Sequence, residues 1–348
     1  MPASIKKDVS LEKGDETLIR LLSRFQMEST TENLLLHLPN VMEEKREIVI
    51  DLVKKIEMGT ETEIELAVID LRLLTKHDVE SRQFIAEANG IQLLIPLLDS
   101  PKGIIQENAI TTLLNLSISD GNRALIMETS GAWDAIFKLL GAGVTDEAKE
   151  NAAATIFSLL IVEEYRERVG QKPGTLSELL QILKDVHTHR GKKDVIKVIY
   201  HLALHEPNKA RLVMVGAIPV LFSFILQRRL VEDALSVLAL LGSCPEGVTA
   251  MTRLGELTTI VEVLRGGSTR AKENATSVLL ALCETGRDSA VEKVSRHNHA
   301  IVATLCSLLI TGSDRGKRKA KSLMRFLVAN DSSSSSIDSS SSFLDNEY

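Results

Sequence analysis

The sequence repeats itself about every 41 residues, and this limits the fold more than any other feature. A charged residue just before an apolar, helix-like stretch recurs at Glu107, Glu150, Lys193, Glu232 and Glu273. A glycine that opens another apolar stretch recurs independently, at Gly90, Gly131, Gly174, Gly216 and Gly255. Both markers advance in steps of 39 to 43 residues. Because one such repeat cannot bury its own apolar face, several copies must stack against one another.

Each repeat predicts three helices of increasing length. In residues 122–162, glycines at 131, 141 and 143 separate a short, a medium and a long apolar stretch, and we expect Asn122 and Asp146 to cap two of them. In the preceding repeat, Pro96 should kink the second helix. Helical units of about 40–47 residues are typical of armadillo and HEAT proteins, and the triplet favours armadillo. The sequence therefore predicts an all-α fold, a right-handed armadillo-repeat superhelix (α-solenoid) of about six to seven repeats.

Patterning divides the chain into three segments. We expect the armadillo-repeat domain to occupy residues 42–328. Residues 1–41 form an N-terminal extension, predicted to be partly helical or disordered, with an amphipathic helix near residues 18–25. Residues 329–348 contain nine serines and four acidic residues but no Lys or Arg, which predicts a Ser-rich acidic disordered tail.

Composition argues against several classes of function. The net charge of −6 disfavours general nucleic-acid binding, and no run of 18 apolar residues or signal region favours membrane insertion or secretion. The three cysteines are far apart in sequence, and the helical pair His201 and His205 has no evident third metal ligand. We expect no metal, no cofactor, no small-molecule substrate, no nucleic acid and no membrane insertion, in a chain that is cytoplasmic, nuclear or both.

Polar residues recur on one face of the predicted third helices. Asn108, Thr111 and Asn115 are spaced so that they share a helix face, and the following repeats place similar residues at matching positions. Two interpretations stay open: the first Asn or Asp of each set caps its helix, or the set pairs with the backbone of an extended peptide. The predicted partner-binding groove consists of Asn108, Thr111, Asn115, Asn151, Ser158, Asp194, Lys197, His201, Asp233, Ser236, Asn274 and Ser277.

Two basic segments are further candidates. Residues 187–193 hold His187, His189 and Arg190 in a predicted loop that is either solvated or contacts an acidic partner. Residues 314–325 carry a local charge of +5, which predicts either the polar face that closes the last repeat or a nuclear-localisation signal.

The stretches ENAITTLLNLS (107–117), KENAAATIFSLL (149–160) and KENATSVLLALC (272–283) carry a family resemblance. With similar stretches over about residues 42–327, the sequence resembles the armadillo-repeat region of the plant U-box ubiquitin ligase family. The resemblance implies a superhelix that recruits partner proteins for ubiquitination or signalling. Residues 1–41 do not resemble a U-box, so we expect no enzymatic activity unless another chain supplies one.

We therefore expect a scaffold or adaptor that binds other proteins, as extended peptide segments, through the armadillo groove. One alternative is the substrate-recognition part or accessory of a ubiquitin ligase. Another is a nuclear transport adaptor. Importin-like armadillo proteins repeat an Asn at the position of Asn115, whereas the later counterparts here are Ser158, His201, Leu240 and Ala281, which argues against classical import cargo.

Overall fold

The computed structural model describes the backbone of residues 31–341 and the side chains of residues 41–286, 290–297, 299 and 301–328. Within this part, every regular element is an α-helix. The chain divides into two compact units, Met1–Leu159 and Leu160–Tyr348. The division falls between the third helix of one repeat and the first helix of the next.

In the first unit, a pair of helices precedes two helix triplets. The pair is α1 (Thr31–Met58) and α2 (Glu61–His77), and α2 takes the position of a third helix, because it packs against α5 as α5 packs against α8. The first triplet is α3 (Val79–Glu87), α4 (Gly90–Leu97) and α5 (Gly103–Leu116). The second triplet is α6 (Asp120–Glu128), α7 (Ala132–Ala142) and α8 (Asp146–Leu159).

The second unit continues the same order. Its first triplet is α9 (Glu163–Gln171), α10 (Thr175–Asp185) and α11 (His189–Ala203). Its second triplet is α12 (Glu206–Met214), α13 (Ala217–Leu226) and α14 (Val231–Leu241). The remaining helices are α15 (Pro245–Leu254), α16 (Leu257–Gly266), α17 (Thr269–Ser295), α18 (Asn298–Thr311) and α19 (Asp314–Ser341). Helix α17 is long because the third helix of one repeat runs directly into the first helix of the next.

Aliphatic packing against the third helices forms the core. In α5, Ala109, Ile110 and Leu113 are completely buried. Burying a large aliphatic side chain contributes about 1.5–3 kcal/mol, so the stacked third helices provide much of the stability. Within the triplets, the glycine between the first and second helix explains the repeating marker. The four glycines Gly131, Gly174, Gly216 and Gly255 have φ between 74° and 88°, a conformation that glycine adopts without strain.

Helix boundaries differ from the predicted domain limits. Helix α1 begins at Thr31, before the predicted start at residue 42, and α19 continues to Ser341, past the predicted end at residue 328. The amphipathic helix predicted near residues 18–25 lies outside the described residues, as do the side chains after Val328. The disordered tail stays a prediction.

Several local predictions were wrong. Asn122 lies inside α6 and donates a hydrogen bond to the Arg82 carbonyl (3.3 Å), and Thr145 rather than Asp146 caps α8, through the Ala148 N–H (3.1 Å). Pro96 stands one residue before the end of α4, so it helps to end the helix. The segment predicted as a basic loop is helical from His189 onward.

Among the described helices, none meets the length and hydropathy of a membrane span by itself. One pair, Glu206–Met214 with Ala217–Leu226, does so in combination, but the two helices are bent by 76° at their junction.

Candidate functional site

A Ser or Thr side chain caps the N-terminus of most of the described third helices. Thr60, Thr145, Thr188 and Ser268 each accept a hydrogen bond from the backbone N–H three residues later, at 3.0–3.4 Å. Ser313 does the same for α19 (3.1 Å). These residues occupy the free N–H groups at the helix starts. In α8, α11 and α17, the capping residue lies six positions before the recurring Asn or Asp.

The capping interpretation is wrong for four of the five recurring Asn and Asp residues; the fifth, Asp233, is the third residue of α14. Asn108, Asn151, Asp194 and Asn274 are each the sixth residue of their helix, beyond the first turn. The Asn108 side chain donates to the carbonyl of Ile104 (2.6 Å) and does not accept from a backbone N–H. The polar sets therefore have another structural role.

In the first unit, two asparagines join neighbouring third helices. Asn115 Nδ2 donates to Thr75 Oγ1 (3.1 Å), and Thr75 donates in turn to the Leu71 carbonyl (2.9 Å). Asn151 Nδ2 donates to Thr111 Oγ1 (2.8 Å), and Thr111 donates to the Glu107 carbonyl (2.6 Å). We call these two Asn–Thr–carbonyl chains the amide relays.

The relays fix which way each amide points. Because Thr75 and Thr111 already use their hydroxyl proton on a carbonyl, they can only accept from the asparagine. Each Asn must therefore present its NH₂ group to the threonine. Within the described residues, Oδ1 of Asn115 and Asn151 accepts no hydrogen bond, and both side chains are partly exposed.

The structure separates the predicted groove residues into two groups. Five are buried: Asn108, Ser158, Asp194, Asn274 and Ser277. Seven are partly exposed: Thr111, Asn115, Asn151, Lys197, His201, Asp233 and Ser236. Only the second group offers atoms that a partner can reach.

Two of the buried members, Ser158 and Asn274, bond to other segments of their unit. In the first unit, Ser158 Oγ donates to the Ser117 carbonyl (3.0 Å). In the second unit, Asn274 Nδ2 donates to the Glu232 carbonyl of the neighbouring third helix (2.8 Å), whereas Ser277 donates to Glu273 of its own helix (3.0 Å).

At the positions of the polar sets, α11 of the second unit carries charged side chains where α5 and α8 of the first unit carry neutral ones. Asp194 forms an ion pair with Lys197 (2.7 Å) and lies 3.7 Å from Arg190 Nε. His201 Nδ1 lies 3.4 Å from the Leu160 carbonyl. Burial lowers the pKa of His201, which the Leu160 carbonyl partly opposes, so the neutral imidazole is favoured.

His201 and His205 were expected to lie on one helix, and this was wrong. Helix α11 ends at Ala203, and His205 precedes α12. No cluster of three or more His, Cys, Asp or Glu side chains suited to a metal occurs in the described part of the chain.

Glu107, a half-buried residue of α5 in the first unit, has a raised pKa. Burial raises its pKa, and the neighbouring Glu147 raises it further. Arg72 and a hydrogen bond with Thr145 act in the opposite direction. Glu107 therefore gains a proton more readily than an exposed glutamate.

Sequence reasoning missed the basic residues that cap the ends of third helices. Arg82 Nε donates to the Thr75 carbonyl (2.8 Å), Arg123 Nη1 to Ser117 (2.9 Å) and Arg166 Nε to Leu160 (2.7 Å). Each arginine lies on the first helix that follows, and the three are spaced 41 and 43 residues apart. That recurrence was the available signal.

Comparison with known proteins places the repeats in a family. Residues 47–346 match the family described as the plant U-box protein ARM repeat region. The chain is 46% identical over 280 residues to U-box domain-containing protein 1 of Medicago truncatula, covering 79% of this chain and 40% of that protein. It is 42% identical over 275 residues to U-box domain-containing protein 17 of Arabidopsis thaliana, covering 79% of this chain and 37% of that protein. The chain thus spans about two fifths of the length of these relatives.

Solved structures share the fold at low sequence identity. An engineered protein superposes with a TM-score of 0.71 at 19% identity, covering 90% of this chain and 78% of that one. A chain from a structure concerning the interaction between cadherin and beta-catenin superposes with a TM-score of 0.67 at 18% identity, covering 89% and 60%. The predicted all-α armadillo-repeat fold is confirmed, and the chain belongs to the plant U-box protein ARM repeat family.

Proposed function

We propose that this chain is a protein-binding scaffold that holds extended segments of partner proteins against the exposed faces of its third helices. The observation that carries the proposal is the pair of amide relays in the first unit. Each relay fixes an asparagine whose Oδ1 and second N–H are left for a partner.

An amide in this state matches the backbone of an extended peptide. Oδ1 can accept from a peptide N–H, and the remaining Nδ2 hydrogen can donate to a peptide carbonyl. Because the relay holds the amide in place before binding, little side-chain freedom is lost when the peptide arrives. The repeat spacing sets the distance between the two amides, which favours an extended segment over a compact ligand.

The decisive experiment compares variants on the two sides of the relay. The Asn115→Leu/Asn151→Leu protein lacks both amides, whereas Thr75→Val/Thr111→Val keeps the amides and loses their anchors. The matched control is Lys138→Ala, since Lys138 is exposed on α7 and, among the described residues, forms an ion pair only with Asp99 (2.8 Å). Each tagged protein captures partners from plant extract, and its unfolding is recorded in parallel.

We expect the amide variant to lose specific partners that wild type and Lys138→Ala retain, with its fold intact. The hydroxyl variant should retain the same partners with weaker affinity, because its amides are present but mobile. If all four proteins capture the same partners, the amides only join the helices and the proposal is wrong.

A second candidate is substrate recognition for a ubiquitin ligase. It is supported by membership of a family whose relatives are U-box domain-containing proteins. A ubiquitin-transfer assay would compare the chain alone with the chain plus a separately supplied U-box protein. Ubiquitination of a captured partner only in the second case supports recognition without catalysis, and transfer by the chain alone would contradict it. The nuclear transport adaptor stays a prediction.

A further inference from the structure

A cleft opens in the second unit at the ends of helices rather than along their faces. Its volume is about 610 Å³. It lies between the starts of α11, α14 and α17 and the ends of α13 and α16. Pockets that bind small molecules measure about 300–1,000 Å³, so the cleft has the size of a binding site. It shares only Asp233 with the predicted groove.

Aliphatic side chains line part of the cleft. Leu226 is 57% exposed at the end of α13, although it is a large apolar residue. Leu230, Val231 and Val263 lie around it. An apolar surface of this kind favours an aliphatic side chain from a partner.

Charged side chains of both signs line the cleft, and each sign comes from a different set of elements. His189 and Lys193 of α11 and Arg228 of the α13–α14 loop contribute the basic side. Asp233 at the start of α14 and Glu262 of α16 contribute the acidic side.

The two sides do not neutralise each other. None of the ion pairs found among the described residues joins these basic groups to Asp233 or Glu262. Glu232 also lines the cleft, but it accepts from Ser268 Oγ (2.5 Å) and lies 3.6 Å from Arg270 Nε.

The chain departs from its own pattern at this cleft. Among the described third helices, five begin after a Ser or Thr cap, whereas α5 begins after Lys102 and α14 after Leu230, neither of which makes a side-chain capping hydrogen bond. Leu230 has φ of 47° and Arg228 has φ of 55°, the left-handed region that residues with a Cβ rarely adopt. Backbone strain of this kind persists only where the surrounding structure maintains it, and it is concentrated at functional positions.

We propose that this cleft binds an extended segment of a partner protein in which an aliphatic residue stands between an acidic and a basic residue. The aliphatic side chain contacts Leu226, Leu230 and Val263. The acidic residue faces Lys193 and Arg228, and the basic residue faces Asp233 and Glu262. The separation of charge fixes both the composition of the segment and its direction.

The experiment selects binders from a random decapeptide library displayed on phage, using the full chain as bait. Parallel selections use Lys193→Glu and Glu262→Lys, which reverse one charge on each side. Lys138→Glu, an exposed reversal in the first unit, is the matched control. The enriched peptide is then synthesised with a fluorescein label, and its affinity for each protein is measured by anisotropy.

We expect wild type and Lys138→Glu to enrich the acidic–aliphatic–basic pattern. Lys193→Glu should lose the preference for the acidic residue, Glu262→Lys should lose that for the basic residue, and each should bind the wild-type peptide roughly tenfold more weakly. Absence of an enriched pattern, or enrichment that neither cleft variant changes, overturns the proposal.

The outcome also separates this site from the third-helix faces. A peptide whose binding is lost in Asn115→Leu/Asn151→Leu but not in the cleft variants belongs to the amide relays. That result would overturn the cleft proposal and leave the proposed scaffold function standing.

Discussion

The two units use the same helix order but place different chemistry on their third helices. In the first unit, neutral amides and hydroxyls connect α2 with α5 and α5 with α8. In the second unit, the face of α11 carries Arg190, Asp194 and Lys197 in ion pairs, and the start of α14 borders a cleft. The two units share the buried aliphatic packing of the repeats, whereas their polar faces differ.

The difference concerns recognition more than stability. A hydrogen bond contributes about 0.5–1.5 kcal/mol net, and an exposed ion pair about 0–1 kcal/mol. Exchanging one for the other therefore changes the free energy of unfolding little. It changes the groups that a partner contacts, which are fixed amides in the first unit and charged side chains in the second.

The largest expected effect comes from an asparagine that occupies the same helix position in both units. Asn122 and Asn208 are each the third residue of a first helix. Asn208 is completely buried, donates to the carbonyls of Arg166 (2.8 Å) and Leu202 (3.1 Å), and accepts from Arg211 (3.1 Å). Asn122 makes one long hydrogen bond (3.3 Å).

We expect Asn208→Ala to lower the free energy of unfolding by about 2–3 kcal/mol, because buried polar groups lose their partners, and Asn122→Ala by about 1 kcal/mol. Urea denaturation followed by circular dichroism measures both. Arg211→Ala is the control, since it removes only the accepted bond. Equal losses for the two asparagines would mean that the additional bonds of Asn208 contribute nothing.

The next effect tests how the third helices begin. In the first unit, Thr145 caps α8, and Thr145→Ala should cost about 1 kcal/mol. In the second unit, Leu230→Gly should stabilise the protein by about 0.5–1 kcal/mol. A left-handed residue with a Cβ costs about 1–2 kcal/mol, and the greater freedom of glycine in the unfolded chain offsets about 0.5–1 kcal/mol.

Thermal unfolding of both variants and wild type measures the expected loss of stability for Thr145→Ala and the expected gain for Leu230→Gly. Destabilisation by Leu230→Gly would mean that the apolar contacts of Leu230 outweigh its backbone strain. In that case the strain would not support a functional role for the cleft wall.

The fold could be predicted because its main signals repeat. The recurring glycines predicted the break between first and second helices, and four of them have the positive φ that explains the break. At the first triplet, Asn89 takes this conformation instead (φ 60°), so Gly90 became the first residue of α4. A one-residue shift of this kind leaves no trace in the spacing.

The site could be predicted only in part, since its contacts join residues about 40 positions apart. Asn151 was identified from its helix face, but its partner Thr111 depends on how neighbouring third helices stack. The caps at Thr145 and Thr188 were predictable in principle, because a Ser or Thr before a helix is a local signal. The recurring Asn and Asp residues were interpreted as caps instead.

The smallest effect concerns the pH dependence of the first unit, through Glu107. Burial and the neighbouring Glu147 raise the pKa of Glu107 in the folded protein. At a pH just above the ordinary pKa of 4.5, the folded protein therefore still holds a proton that the unfolded chain has released. Stability must then fall as pH rises through the raised pKa. Glu107→Gln should remove this fall and gain about 0.5 kcal/mol or less at pH 7, because the partly exposed site is screened by solvent.

Urea unfolding at pH 4 and pH 7 measures the difference between variant and wild type, which should be near zero at pH 4. Glu57→Gln, an exposed change on α1, is the control and should shift neither value.

Since Glu147 contributes to the raised pKa of Glu107, Glu147→Gln should stabilise the protein less when residue 107 is already Gln, and a double-mutant cycle detects that coupling. A gain of equal size at both pH values would show that the charge of Glu107 is not its cause. The acidic pair would then be a feature of the surface alone, and the contrast between the neutral relays of the first unit and the charged face of the second would rest on the amides.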